Sequence, residues 1–189
     1  MYNIQQTIGA FYEDLLAKLF ALERIDKNFS HKTPDLRGKG FYLESKASRY
    51  DNGGVIKGWQ LEDLREIGCP YAFPFHELRT PVRRYYPTER SLLRALAANP
   101  FRSIYIFPFS VVEACYKNNS RRPYRNTGDD FTQIRESLAR DVFNGELNVW
   151  KKLHLNFDDF QAVSADKNIF IVSDDKSILG NLLKRYRKQ

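Results

Sequence analysis

A chain of 189 residues, 42% hydrophobic and 28% charged, is long enough to bury a core of its own and reads as a soluble globular protein. No apolar run approaches the roughly 20 residues of a membrane span, which excludes a helical membrane protein. Thirty Lys and Arg against 23 Asp and Glu leave a net charge of +7 and a pI near 9.4. That balance predicts a polyanionic partner. Nucleic acid is favoured over a membrane surface, because no basic amphipathic helix with a wide apolar face is present.

The N-terminal MYNIQQTIGAFYEDLL has no basic stretch followed by an apolar block, so no secretory leader is expected and the protein reads as intracellular, cytoplasmic. Ile4, Ile8, Phe11, Leu15, Leu19 and Leu22 recur every three or four residues, which predicts a first helix behind an Asn3 N-cap. Glu23–His31 is ambiguous, with a short strand as its best assignment. Pro34–Arg37 and Phe41–Ala47 read as strands joined by a turn at Gly38–Gly40, and Ser48–Gly54 as a loop rich in Asp, Asn and Gly. A second helix, Gly58–Ile67, should close at Gly68, followed by an aromatic strand, Tyr71–Phe75.

Beyond this point Thr88–Ala98 predicts a helix and Ser103–Phe107 a strand. Asp130–Phe143 is amphipathic through Phe131, Ile134, Leu138 and Val142, and reads as a helix closing at Asn144–Gly145. Asn168–Val172 predicts a strand and Ser173–Arg187 a last helix, capped by Ser173 and ending in the basic KRYRK. The order helix, strands, helix, strand over the first 76 residues predicts an α/β fold with a central mixed β-sheet flanked by helices. Without a repeat or low-complexity linker, residues 1–189 read as a single domain. Its core spans about 3–76, and residues 77–189 add helices and strands.

One stretch carries chemistry, TPDLRGKGFYLESKAS over Thr33–Ser48. Side chains alternate along a strand, so Glu44 and Lys46 share one face, and the neighbouring strand brings Asp35 to it. Two carboxylates and an ammonium on one face suit a hard divalent cation and a phosphate. The spacing D…[DE]xK alone is common. Here, however, Asp35 follows Pro34, Glu44 and Lys46 lie in the β-like FYLESKA, a helix with Glu13 precedes them, and a helix with Gln60 follows.

With Pro34–Asp35 and Glu44–Ser45–Lys46 as its motif, the chain resembles the PD-(D/E)XK nuclease superfamily over roughly residues 8–76. The helix bearing Gly9 and Glu13, the ExK strand and the Gln60 helix together look most like the Holliday-junction-resolvase branch. Ile104–Tyr116, a strand running into an apolar helix, is also similar to the bacterial resolvases. Only 21 residues separate Glu13 from Asp35, where those resolvases carry a longer insertion.

The resemblance implies a restriction-endonuclease-like core and a Mg2+-dependent endonuclease, with Mn2+ as a substitute ion. Asp35, Glu44, the Ser45 carbonyl and Glu13 would hold metal. Lys46 would orient or deprotonate the attacking water, or offset transition-state charge, and Gln60 would position either. DNA is the expected partner and a homodimer the expected assembly, since cutting both strands takes two sites. A type II restriction endonuclease is the alternative with the same chemistry. A non-catalytic nucleic-acid-binding protein on the same fold is the alternative of another class.

Basic residues interleave with aromatics at Arg83–Arg84–Tyr85–Tyr86, at Arg121–Arg122–Pro123–Tyr124–Arg125 and in the C-terminal tail. Arginine forks grip phosphates and tyrosines stack on bases, so Arg83, Arg84, Arg121, Arg122, Tyr124 and Arg125 are candidate DNA contacts, with Lys39 and Lys57 beside the motif. Cys69 and Cys115, with no CxxC or CxxH spacing, read as buried free thiols. His31, His76 and His154 form no HxH or HExxH, and no GxxxxGK[ST] or GxGxxG loop predicts a nucleotide cofactor.

Overall fold

Two buried apolar layers, one on each face of a mixed sheet, organise the molecule. The computed structural model describes residues 2–26, 33–119, 122–123 and 130–188. In chain order these form α1 (Ile4–Phe20), β1 (Glu23–Arg24), β2 (Leu36–Gly38), β3 (Phe41–Ser45), β4 (Ser48–Arg49), β5 (Gly54–Lys57), α2 (Gly58–Leu64) and β6 (Tyr71–His76). There follow α3 (Val82–Tyr85), α4 (Glu89–Ala98), β7 (Ser103–Phe107), α5 (Phe109–Asn118), β8 (Arg122–Pro123) and β9 (Asp130–Ile134). The chain then forms α6 (Glu136–Phe143), α7 (Leu147–Leu153), β10 (Gln161–Asp166), β11 (Ile169–Ser173) and α8 (Lys176–Tyr186).

The main sheet runs β1-β2-β3-β6-β7-β11-β10, with β4 continuing β3's side of β6. β2 and β3 form an antiparallel hairpin, while β3 pairs parallel with β6, Glu44 facing Tyr71 and Ser45 facing Ala72. A parallel pair needs a crossover, and α2 with its flanking turns supplies it. The hairpin turn requires the left-handed backbone of Gly40 at φ +83°. A second, three-stranded antiparallel sheet, β5-β9-β8, packs beside the first.

The β6 sequence YAFPFH explains the sandwich. Tyr71, Phe73 and Phe75 point to one layer with Phe107, Val111 and Trp150, whereas Ala72 points to the other with Leu16, Leu43 and Ile106. Both faces are covered, so the strand reads as a continuous buried run rather than an alternation. α1 packs on the second layer through Leu16 and Phe20, and its Ile8 and Tyr12 meet α4. Among the described residues no helix is long and apolar enough to cross a membrane.

The structure corrects several boundaries. The Asp130–Phe143 segment is not one helix: Asp130–Ile134 is the strand β9, burying Thr132 and Ile134 alternately against β5, and only Glu136–Phe143 is helical. β-Branched residues two apart fit a pleated surface better than a helix, and the partner strand β5 decides the matter. Ser173 ends β11 and does not cap α8; the Asp175 carboxylate accepts from the Ser177 and Ile178 N–H groups instead. β4 lies inside the Ser48–Gly54 segment expected as a loop, β5 takes Gly54 and the unassigned residues up to Lys57, and α2 stops at Leu64 rather than Ile67. Asn3 caps α1 as anticipated, accepting from Gln5 and Gln6. Both cysteines are free and buried.

Candidate active site

The hairpin β2–β3 opens at its far end, away from the Gly40 turn, and there the motif converges. Asp35 precedes β2, Glu44 and Ser45 close β3, and Lys46 follows. The Asp35 N–H donates to Glu44 Oε2 at 3.2 Å, and the Ser45 N–H donates to Asp35 Oδ2 at 2.7 Å. Lys46 Nζ donates to Glu44 Oε1 at 2.7 Å, and Gln60 Nε2 from α2 donates to the same oxygen at 2.6 Å. Asp35 is 6% and Glu44 1% exposed. Carboxylates this deeply buried persist only where donors or cations surround them.

Backbone geometry explains the convergence. The Glu44 and Lys46 N–H groups donate to Pro70 and Ala72 of the β6 side. Strand alternation therefore turns the Ser45 N–H and C=O toward β2, where the N–H meets Asp35. The donor set is oxygen only, from two carboxylates with a backbone carbonyl beside them. Carboxylates in that number, completed by substrate phosphate and water, suit Mg2+. Among the described residues no group of three or more His, Cys, Asp or Glu is placed to hold an ion. Ser45 Oγ, which strand alternation turns to the face opposite the Glu44 side chain, is buried without a hydrogen-bond partner.

Cys69 and Tyr71 lie near this pair. Burial, and after it the Glu44 charge, pushes the Cys69 thiol and the Tyr71 phenol far up. Neither adds negative charge at neutral pH. Burial likewise raises the Cys115 thiol to about 12.

Glu13 is not brought to the site. It sits on α1 against Arg24, with Glu13 Oε2 2.7 Å from Arg24 Nη2, and faces a hollow with Arg24, Ile25 and Asp26. That hollow shares Gln5 and Gly9 with the main cleft, and among the described residues Glu13 does not group with Asp35 and Glu44 to hold one ion. Lys39 is exposed at the hairpin turn, the opposite end from Asp35 and Lys46. Lys57 does line the cleft, its ammonium 5.5 Å from the Trp59 ring centre. Arg83 and Arg84 are exposed beside Val82 on the cleft's rim. Arg122 lies in β8, while Arg121, Tyr124 and Arg125 fall outside the described residues.

The cleft has a volume of about 740 Å³ and is floored by Ser45, Lys46 and Gln60, with the carboxylates behind them. Its other walls hold residues the sequence gave no signal for, notably Arg49, Trp59, Gln133 and His76. His76 stacks on Tyr12 with centroids 6.1 Å apart, and its Nδ1 accepts from the Leu78 N–H at 3.3 Å. That bond fixes the neutral tautomer with its proton on Nε2.

Burial, and secondarily Arg49, lowers His76 to about 4. The unfolded value is about 6.5, so between those two pH values the unfolded chain binds a proton that the native protein refuses. Stability therefore falls as pH drops through that window and is fully present above it. Replacing His76 by Gln should flatten this slope, by up to about 1.4 kcal/mol per pH unit in urea unfolding curves.

Gly54 supports the site from below. A Cβ there would lie 2.7 Å from the Phe73 ring and 2.9 Å from the Lys46 carbonyl. Gly54→Ala should destabilise by roughly 1–3 kcal/mol through overpacking. The loss reads as a lower midpoint in urea unfolding, and the displaced Lys46 carbonyl as shifted backbone amide signals around Lys46.

Comparison with protein-family models, with curated proteins and with solved structures finds no match to this chain.

Proposed function

We propose that the protein is a Mg2+-dependent DNA endonuclease whose active site is Asp35, Glu44 and Lys46, supported by Gln60 and the Ser45 carbonyl. The observation that carries this reading is the hydrogen-bonded convergence of those side chains at the end of the β2–β3 hairpin. Further support comes from the order α1, β1–β2–β3, α2, β6, with β3 and β6 parallel, which suits a restriction-endonuclease-like core. The net charge of +7 fits a nucleic-acid substrate.

Bound at Asp35 and Glu44, the metal would neutralise phosphoryl oxygen charge and acidify water. The protein's own part is electrostatic and positional. Lys46, tethered to Glu44 in the resting state, faces the cleft and would hold the attacking water or the phosphoryl oxygen. Gln60, fixed on Glu44 Oε1 through its amide nitrogen, keeps its carbonyl oxygen as an acceptor for a water proton. The water oxygen bonds to phosphorus and gives up a proton to solvent, one phosphoester bond breaks, and the leaving oxygen takes a proton from solvent.

Branched DNA is the favoured substrate class within this reading, a specific duplex sequence the second, and two copies would cut two strands. The test is purified protein with supercoiled plasmid, linear duplex and a synthetic four-way junction, each with Mg2+ or with EDTA. Chelator-sensitive cleavage, strongest on the junction, is expected. Cleavage indifferent to chelator would reject the metal mechanism, and salt-sensitive binding with no cleavage would replace it with the non-catalytic binder.

A further inference from the structure

The cleft in front of Lys46 reaches well past the motif, along β4 to the end of β6. There the register pairs Arg49 with His76, so both side chains leave the sheet on one face. His76 lies roughly 13 Å further along β6 than Ala72, whose carbonyl receives the Lys46 N–H. Among the described residues no Asp or Glu lines this cleft, whereas Lys46, Arg49 and Lys57 do.

His76 is 5% exposed, and its ring carries a donor with no partner. Nδ1 is spent on the Leu78 N–H, on the side of the small hollow that Leu78 lines. The Nε2–H, across the ring, is turned to the cleft and has no acceptor among the described residues. Stacking on Tyr12 fixes the plane of the ring and so the direction of that donor. Burial keeps the ring neutral at pH 7. A buried donor that opens only on a cleft takes its acceptor from what enters the cleft.

Arg49 is aimed at the same place. Its Nη1 donates to Thr80 Oγ1 at 2.6 Å and its Nη2 to Asp51 Oδ2 at 2.5 Å, which uses two of five N–H donors. Asp51 is itself not on the cleft wall. His76 and Arg49 therefore present donors only. A nucleobase edge offers donors as well as acceptors, while a phosphodiester offers acceptor oxygens alone, and it is the better complement.

We infer that the His76 Nε2–H and the Arg49 guanidinium hold a second backbone phosphate, a few nucleotides along the strand from the phosphodiester at Lys46. That the strand is cut at Lys46 rests on the nuclease reading, while the phosphate contact stands without it. Both are positioning residues, which fix the path of the strand and touch no reacting atom.

The experiment is run in EDTA, so that no bond is cut. In its first arm the ring nitrogens of His76 are followed by NMR while inorganic phosphate, and separately a DNA oligonucleotide, is titrated in. A saturable shift of Nε2, with Nδ1 unmoved on Leu78, is expected from both. In the second arm DNA binding is measured against salt. Arg49→Ala should lose about 1 from the log–log salt slope, one phosphate contact. His76→Asn, whose amide can still accept from Leu78 but falls short of the cleft, should weaken binding about tenfold. Its slope should be unchanged, because a neutral donor displaces no counterion. His76→Gln, whose longer amide restores the donor, should recover most of the affinity.

Equal weakening by His76→Asn and His76→Gln would reduce His76 to a support of the fold and overturn the contact. Nε2 shifts with phosphate but unchanged DNA binding in Arg49→Ala and His76→Asn would move the site to free phosphate, and would also overturn it. The expected pattern with DNA that is never cut once Mg2+ is supplied would keep the contact and reject the nuclease reading. Cleavage with Nε2, affinity and slope all unmoved would keep the nuclease and sink the contact.

Discussion

Replacing Glu44 by Ala should lower Mg2+-dependent cleavage by about 10³-fold or more, the order expected when electrostatic stabilisation of the transition state is removed. Glu44 is the hub of the site, accepting from the Asp35 N–H, Lys46 and Gln60. Its loss would remove one of the two carboxylates proposed to hold the metal, and leaves three donors without their acceptor. Leaving buried donors unpaired should also destabilise by roughly 1–3 kcal/mol. Glu44→Gln separates the two effects: it keeps the shape and two acceptor lone pairs, so stability recovers in part while cleavage stays lost. Lys46→Ala should retain metal binding and lose about 10²–10³ in kcat. Glu23→Ala, which removes only an exposed partner of Arg37, should be indistinguishable from wild type in the same assay.

The largest loss of stability is expected at Phe73. This ring is fully buried in the centre of β6, packed against Tyr71 at 6.3 Å and Phe107 at 6.0 Å between centroids, with Gly54 directly beneath it. Phe73→Ala should cost about 3–5 kcal/mol from lost burial and the cavity left behind. In a protein of this size that lowers the melting temperature by roughly 6–20 °C. Phe73→Leu should cost less than half as much, because most of the volume remains. Calorimetry or circular-dichroism melts of the two variants distinguish a packing role from a chemical one. A hole at Phe73 also loosens the floor under Lys46, so the Ala variant should lose activity at temperatures where it is still folded.

Much of this was legible in the residues, and the reasons differ by element. α1 declared itself because Ile8, Leu15 and their neighbours repeat at the helical period behind a real cap at Asn3. β7 was legible as SIYIF because a short run of β-branched and aromatic residues has little alternative. The hairpin and its shared face followed from Gly40 and strand alternation, which is why Asp35, Glu44 and Lys46 were found together. Gln60 was reached through the crossover helix α2.

What was not legible depends on partners distant in the chain. Asp130–Ile134 satisfies a helical apolar pattern as well as a strand pattern, and only β5, some 80 residues earlier, selects the strand. Glu13 has the right chemistry and the wrong neighbour, since Arg24 draws it into its own ion pair. His76, Arg49 and Gln133 carry no local signal. They reach the cleft only because β4, β6 and β9 assemble around it.

Mn2+ titration followed by electron paramagnetic resonance reads the centre directly, without substrate or turnover. A hard-cation site at Asp35 and Glu44 predicts saturable Mn2+ binding to the wild-type protein that Mg2+ displaces and Asp35→Ala abolishes. Equal Mn2+ binding by wild type and Asp35→Ala, or none by either, would contradict it.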